Sequence, residues 1–209
     1  MKLETNIRRI EELTRQKEDE DRRYRCLLEQ SDLTSDEVDA IVHKHYRAVS
    51  EQIECRECGN CCKVFRPSLK ADDINRLAHR MRITRADFIM EYLVAYENGK
   101  DHFFKLTPCP FLVNNACTVY PDRPEACRSY PGLHKEGFVL NLSHAFSSCS
   151  VCPVVYNAYE LVKREICDRR AAALSSEERA AEPCAFPEPL NKTSDSASQA
   201  SPDRENVVE

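Results

Sequence analysis

Apolar residues along the chain recur mostly at helical spacing, separated by polar and charged positions. Leu3, Ile7, Ile10 and Leu13 form a thin stripe through a segment otherwise rich in Glu, Arg, Lys and Gln. That pattern predicts a charged, mostly solvated helical lead-in over residues 1–30, with Cys26 at its end as an ordinary packed thiol. Thr34-x-x-Glu37 has the form of a capping box and opens a second helix. Val38, Ile41, Val42, His45, Val49 and Ile53 share one of its faces, so this helix runs up to Cys55. Ile74, Leu77, Ala78 and Met81 mark a third helix. Thr84-x-x-Asp87 caps a fourth, which buries Phe88, Ile89, Tyr92 and Leu93. Phe138–Leu142, bracketed by Gly132 and Gly137, is the clearest strand candidate and suggests a small hairpin. Val155, Tyr159, Val162 and Ile166 predict a last helix over Val154–Ile166. From residue 175 to 209 the chain is rich in Ser, Pro, Ala and Glu and loses periodicity, which reads as a disordered acidic tail carrying Cys184.

Composition narrows the function classes. Among 209 residues the formal net charge is -5, so nothing argues globally for a nucleic-acid partner. Residues 55–152 carry thirteen Lys/Arg against ten Asp/Glu, a small excess that ionised thiolates would reverse. The paired helices near 71–93 resemble a helix-turn-helix in outline, but Asp87 and Glu91 on the second would repel phosphates. No nucleic-acid role is expected. No run of about 18 apolar residues occurs, so no membrane span is expected. The first 23 residues are charged throughout, unlike a secretory leader, and the expected location is the cytoplasm.

The cysteines then change the picture. Nine of twelve fall between positions 55 and 152, and four crowd into Cys55-Arg-Glu-Cys58-Gly-Asn-Cys61-Cys62. In a reducing compartment structural disulfides are rare, so metal binding is the stronger reading. Thiolates are soft donors suited to zinc or iron, and pairs three positions apart reach one centre with little backbone strain. Gly59 and Asn60 tolerate the tight turns such a loop needs. Cys55, Cys58 and Cys61 have the spacing of the local part of an iron–sulfur site, with a fourth cysteine from elsewhere. Cys62, adjacent to Cys61, is expected to point another way, either to a second metal or as a bystander. The candidate ligands are Cys55, Cys58, Cys61, Cys62, Cys109, Cys117, Cys127, Cys149 and Cys152. They are too many for one tetrahedral ion and suit a polynuclear cluster or two sites. His43 and His45 lie on an amphipathic helix and read as packing or surface. His134 and His144 flank the strand candidate and are minor candidates to replace a cysteine. Cys149-Ser-Val-Cys152-Pro153 has a rival reading as a redox dithiol at a helix N-terminus, but no βαβ pattern precedes it.

The second half has its own grammar: Cys109-Pro-Phe-Leu, Cys117-Thr-Val-Tyr120, then Arg123-Pro124-Glu-Ala-Cys127-Arg128-Ser-Tyr130-Pro131. With the cysteine knot, this resembles the zinc- or iron-chelating cysteine-cluster family, the YkgJ-like proteins with the CxxCxxCC domain. Every element of that signature is present, in order, within residues 55–131. The resemblance implies a metal-chelating module whose chemistry is mostly unassigned. A related cluster in flagellin lysine N-methylases brings an iron–sulfur cluster and S-adenosylmethionine into consideration. Those enzymes are considerably longer, and no Gly-rich strand–turn–helix here would cradle that cofactor.

The expected architecture is a mainly α, small metal-organised domain over residues 31–170, with irregular loops and one short β-hairpin. Structural zinc sites are worth roughly 10–16 kcal/mol, comparable to a whole domain's stability, so metal removal should loosen residues 55–152. Three roles compete. An iron–sulfur protein with a redox or enzyme-associated role is favoured by the ligand count. A structural zinc module recruiting a protein partner, and a metal-handling factor, are the alternatives. Arg123 and Arg128 could donate to cluster sulfurs or anions, or serve the surface.

Overall fold

The computed structural model describes residues 2–29, 31–96 and 101–173. The tail expected over 175–209, with Cys184, lies outside the described residues. The fold is mainly α, and its apolar side chains gather into two separate cores.

The larger core is helical. α3 (Ser35–Ser50) begins at the capping box: Thr34 Oγ1 accepts from Glu37 N and the Glu37 carboxylate accepts from Thr34 N. Its buried face, Val38, Ile41, Val42 and Val49, lies on α10 (Pro153–Ala173), whose Val155, Ala158, Tyr159, Val162 and Ile166 are buried. α9 (Leu142–Cys149) completes this group. No helix among the described residues is long and apolar enough to cross a membrane.

Two corrections belong here. Phe138–Leu142 is not a strand, and no hairpin forms around it. Residues 138–141 are a turn that runs into α9. Asp39, buried on α3, accepts from Gly137 N at 2.6 Å and from Phe138 N at 2.9 Å. Those bonds take the backbone donors a strand partner would need. The buried residues Phe138, Leu142, Ala145 and Cys149 also recur at helical rather than alternate spacing, and Leu140 is 90% exposed. The second correction concerns the lead-in. It is two helices, α1 (Ile7–Gln16) and α2 (Glu18–Glu29), largely exposed, but Ile10, Tyr24, Leu27 and Leu28 join the helical core. Cys26, expected to be packed, is exposed.

Lys163 anchors the lead-in. Its ammonium is fully buried and donates to Asp21 (2.6 Å), Glu20 (2.8 Å) and Glu160 (2.6 Å), while Lys17 bonds the other oxygen of Glu160. Three carboxylates against two ammonium groups leave one negative charge over. Asp21, the most buried of the three, carries it with difficulty: burial pushes its carboxyl up to about 6 despite the pull of Lys163.

The second core is smaller. α6 (Ala71–Met81) and α7 (Arg85–Tyr92) pack beside a three-stranded antiparallel sheet in the order β1 (Ser68–Leu69), β3 (His102–Phe104), β2 (Leu93–Ala95). Ile74, Leu77, Phe88, Phe104, Phe111 and Val119 are its buried centre. A hairpin of β4 (Leu112–Val113) and β5 (Ala116–Cys117) closes over it. Asn114 and Asn115 have φ of 50° and 64°, the two positive values a two-residue hairpin turn demands. The one hairpin anticipated near residue 138 is therefore found here instead.

Replacing Lys163 by Met takes the shared ammonium from Asp21 and Glu20 and leaves Glu160 with Lys17 alone. Urea unfolding of Lys163→Met should show a loss of about 3–5 kcal/mol. Adding Asp21→Asn should recover part of it, because one uncompensated charge is then removed.

Candidate metal centre

The cysteine knot folds as two single-turn helices, α4 (Cys55–Cys58) and α5 (Asn60–Val64), joined at Gly59. Gly59 has φ +59°, and a Cβ placed on it would stand 2.5 Å from the carbonyl oxygen of Asn115. The knot can press against the hairpin tip only because that position has no side chain. This contact brings Cys55–Cys62 beside Cys117. Cys109 N donates to the Cys62 carbonyl at 2.8 Å, which ties the knot to the hairpin's other flank. On the opposite side Asn60 Nδ2 donates to the Val151 carbonyl at 2.8 Å and draws in Cys152, at the start of α10.

Cys127 is brought in from a distance by α6. Asp73, 3% exposed, accepts from Glu125 N at 3.0 Å and from Arg76 at 2.6 Å. Arg76 in turn donates to the carbonyls of Asp122 and Arg123 at 3.1 and 3.0 Å. The pair clamps residues 122–125 and so sets α8 (Glu125–Ser129), which carries Cys127. Sequence reading assigned Asp73 and Arg76 no role. Their spacing of three on a helix marks an ion pair, but its target 46 residues away is a tertiary fact.

The result is a cavity of about 480 Å³ between the two cores, walled by Cys55, Cys61, Cys62, Cys109, Cys117, Cys127 and Cys152. A smaller adjoining pocket is lined by Cys55, Cys58, Cys61 and Cys152. Eight of the nine candidate cysteines thus meet at one place. Cys149 does not reach it: its thiol donates to the Ala145 carbonyl at 3.4 Å and lies among Asp21, Lys163 and Glu160 in the helical core. His144 lines the cavity, while His134 rests against Tyr46. His43 bonds the Lys135 carbonyl at 3.1 Å and His45 bonds Glu165 at 2.7 Å. Cys62 was expected to point another way from Cys61; both line the cavity, and only Cys61 also lines the smaller pocket. The interaction of the two adjacent thiols raises the pKa of Cys61 and lowers that of Cys62.

The donor set fits zinc or iron. Burial pushes Cys109 up to about 11, Cys127 to about 12 and Cys152 to about 11, and it also raises Cys55 and Cys117. Buried thiols of this kind ionise when a cation replaces the proton. Opposing the desolvation are main-chain N–H groups aimed at sulfur: Phe111 toward Cys109, Val119 toward Cys117, and Val154 and Val155 toward Cys152. Such donors steady a metal-bound thiolate. The charged side chains on the wall are Arg56, Arg66, Arg123 and Arg128; no Asp or Glu lines the cavity among the described residues. Arg123 sits 3.8 Å over the Tyr120 ring, donates to the Tyr120 carbonyl at 2.8 Å, and its charge favours the thiolates of Cys55, Cys117 and Cys127.

Two predictions follow from this geometry. Because burial holds Cys55, Cys109, Cys117, Cys127 and Cys152 protonated at neutral pH until a cation displaces their protons, metal uptake should release protons. Apparent affinity should climb with pH between 6 and 8 by about tenfold per unit for each proton displaced; competition with a chelator at several pH values measures it. Gly59→Ala should cost more than the ~1–2 kcal/mol of a left-handed residue alone, since the methyl collides with backbone. Metal content after dialysis should drop sharply in that variant.

Comparison with known proteins adds one finding. Neither the curated proteins nor the solved structures contain a match to the chain. Residues 54–184 match the CxxCxxCC family model, described as "Putative zinc- or iron-chelating domain", over more than half of the sequence. That span holds all of the cavity's cysteines, and the chain therefore belongs to the CxxCxxCC family of zinc- or iron-chelating domains.

Proposed function

We propose that the cavity holds iron as iron–sulfur chemistry on Cys55, Cys58, Cys61, Cys62, Cys109, Cys117, Cys127 and Cys152. The protein then serves electron transfer or redox sensing, alone or beside an enzyme. The observation that carries this reading is the cavity itself. Thiols from the knot, the hairpin, α8 and the head of α10 line one cavity and its adjoining pocket. Eight thiols are more than one tetrahedral zinc can use, and such a set suits polynuclear chemistry. Bound there, such a cluster supplies one-electron chemistry. The chain's own residues do the rest: main-chain N–H groups steady the sulfurs, Phe111, Val119 and Tyr130 limit water, and the arginines offset negative charge. Cys149, directed into the helical core, stays outside this ligand set.

The two hydrophobic cores give the centre a structural duty as well, because their walls meet around it. Protein purified without oxygen or chelators should be coloured and contain iron with acid-labile sulfide in equal amounts. A colourless protein with stoichiometric zinc would instead establish the structural zinc module, and transfer of metal to an apo-protein would establish a metal-handling factor. Stripping the metal should raise amide hydrogen exchange in α6, α7 and the β4–β5 hairpin. α3 and α10, which pack on each other, should stay protected.

A further inference from the structure

The eight cavity cysteines fall into two groups by position. Cys55, Cys58, Cys61 and Cys152 line the smaller pocket together, on the side facing α10. Cys62, Cys109, Cys117 and Cys127 face the larger cavity on the side of the hairpin and α8, and none of them lines the smaller pocket. The backbone arrangement agrees. Asn60 bonds the Val151 carbonyl next to Cys152, whereas the Cys62 carbonyl receives Cys109 N. Electrostatic proximity follows the same division away from the knot: Cys152 feels Cys55 and Cys58, Cys109 feels Cys62 and Cys117, and Cys127 feels Cys62, Cys109 and Cys117. Within the knot the groups touch, since Cys55 and Cys61 both feel Cys62. Cys61 and Cys62, neighbours in sequence, are the junction between the groups, Cys61 lining both pockets and Cys62 only the larger.

We propose that the chain binds two metal centres, one on Cys55, Cys58, Cys61 and Cys152, the other on Cys62, Cys109, Cys117 and Cys127. The inference rests on the metal-binding reading above and adds its stoichiometry and ligand assignment. Its logic explains the adjacent cysteines: consecutive side chains on one helical turn point about 100° apart, so Cys61 and Cys62 serve different centres. Four sulfurs are a complete set for a tetrahedral zinc and for a cluster alike. A divalent ion in four thiolates retains two negative charges. Arg66, Arg123 and Arg128 place positive charge on the wall where that negative charge would gather, while Arg56 is paired with Glu54. The first quartet has the C-x2-C-x2-C run with a remote fourth ligand, and the second is built from a hairpin and a helix. Adjacent centres of this kind also suit passage of an electron from one to the other.

Cobalt(II) offers a test that is independent of the native metal. The full-length protein, stripped and titrated with cobalt(II), should take up two equivalents with thiolate charge-transfer absorption rising until the second is bound. Cys127→Ser and Cys152→Ser should each halve the thiolate-type absorption, and the double variant should abolish it; Cys149→Ser should leave it whole. Unfolding of a variant is controlled by cysteine alkylation of wild type during stepwise chelation. Mass spectrometry should show protection lost in blocks of four, each block being one quartet. Uptake that stops at one equivalent, or a block that mixes sulfurs of the two quartets, overturns the assignment. Zinc in both quartets of the isolated protein would overturn the iron–sulfur reading and leave the two-centre assignment standing.

Discussion

Burial of thiols between two hydrophobic cores is the constraint on which this structure turns. A sulfur removed from water keeps its proton unless a cation takes its place, and the burial that raises Cys109, Cys127 and Cys152 acts on all the walls of one cavity. The apolar material is divided. Helices α3, α9 and α10 with the lead-in form one cluster, and α6, α7 and the small sheet form another. In the proposed centre, metal–thiolate bonds across the seam would supply the strong, directional links that hydrophobic contact between the two cores does not provide.

The seam is prepared by ordinary polar contacts. Asp73 and Arg76 hold the 122–125 segment, Asn60 holds the loop before Cys152, and Gly59 allows the knot to meet the hairpin. None of these groups needs to be a ligand. Each reduces the number of positions a cysteine can occupy before a metal arrives, which lowers the ordering cost of binding. Arg123, locked against Tyr120, adds a fixed positive charge where thiolate charge accumulates. The other pole of the molecule follows the opposite plan: Lys163 is buried among carboxylates, and Cys149 lies beside that cage rather than in the cavity. Two cysteines three positions apart, Cys149 and Cys152, thus have different surroundings because the chain passes from α9 to α10 between them.

What was legible in the residues alone is local. Helical periodicity located α3, α6 and α10, since each buries one face and shows it at i, i+3 and i+4, and it located α7, which buries Phe88 and ends where Leu93 opens β2. The capping residues Thr34 and Thr84 marked their starts. Soft donors at short spacing announced metal chemistry, and the order of motifs from Cys55 to Pro131 pointed to the family now matched. The hairpin at 112–117 had its signal in Asn114-Asn115, a pair that accepts positive φ, but the weight given to Phe138–Leu142 hid it.

Tertiary structure decided the rest, because non-local partners outweigh local preference. An apolar run such as Phe138–Leu142 suits a strand until Asp39, 99 positions away, takes its backbone donors. The lead-in reads as solvated until Ile10 and Tyr24 find the core and Lys163 finds Asp21. Sequence spacing offered nine candidate sulfurs; only folding places eight of them on one cavity and its adjoining pocket and turns Cys149 into the helical core. A thiol's chemistry is written in its residue type, but the charge it carries depends on what surrounds it, and that is assembled from segments the sequence keeps far apart.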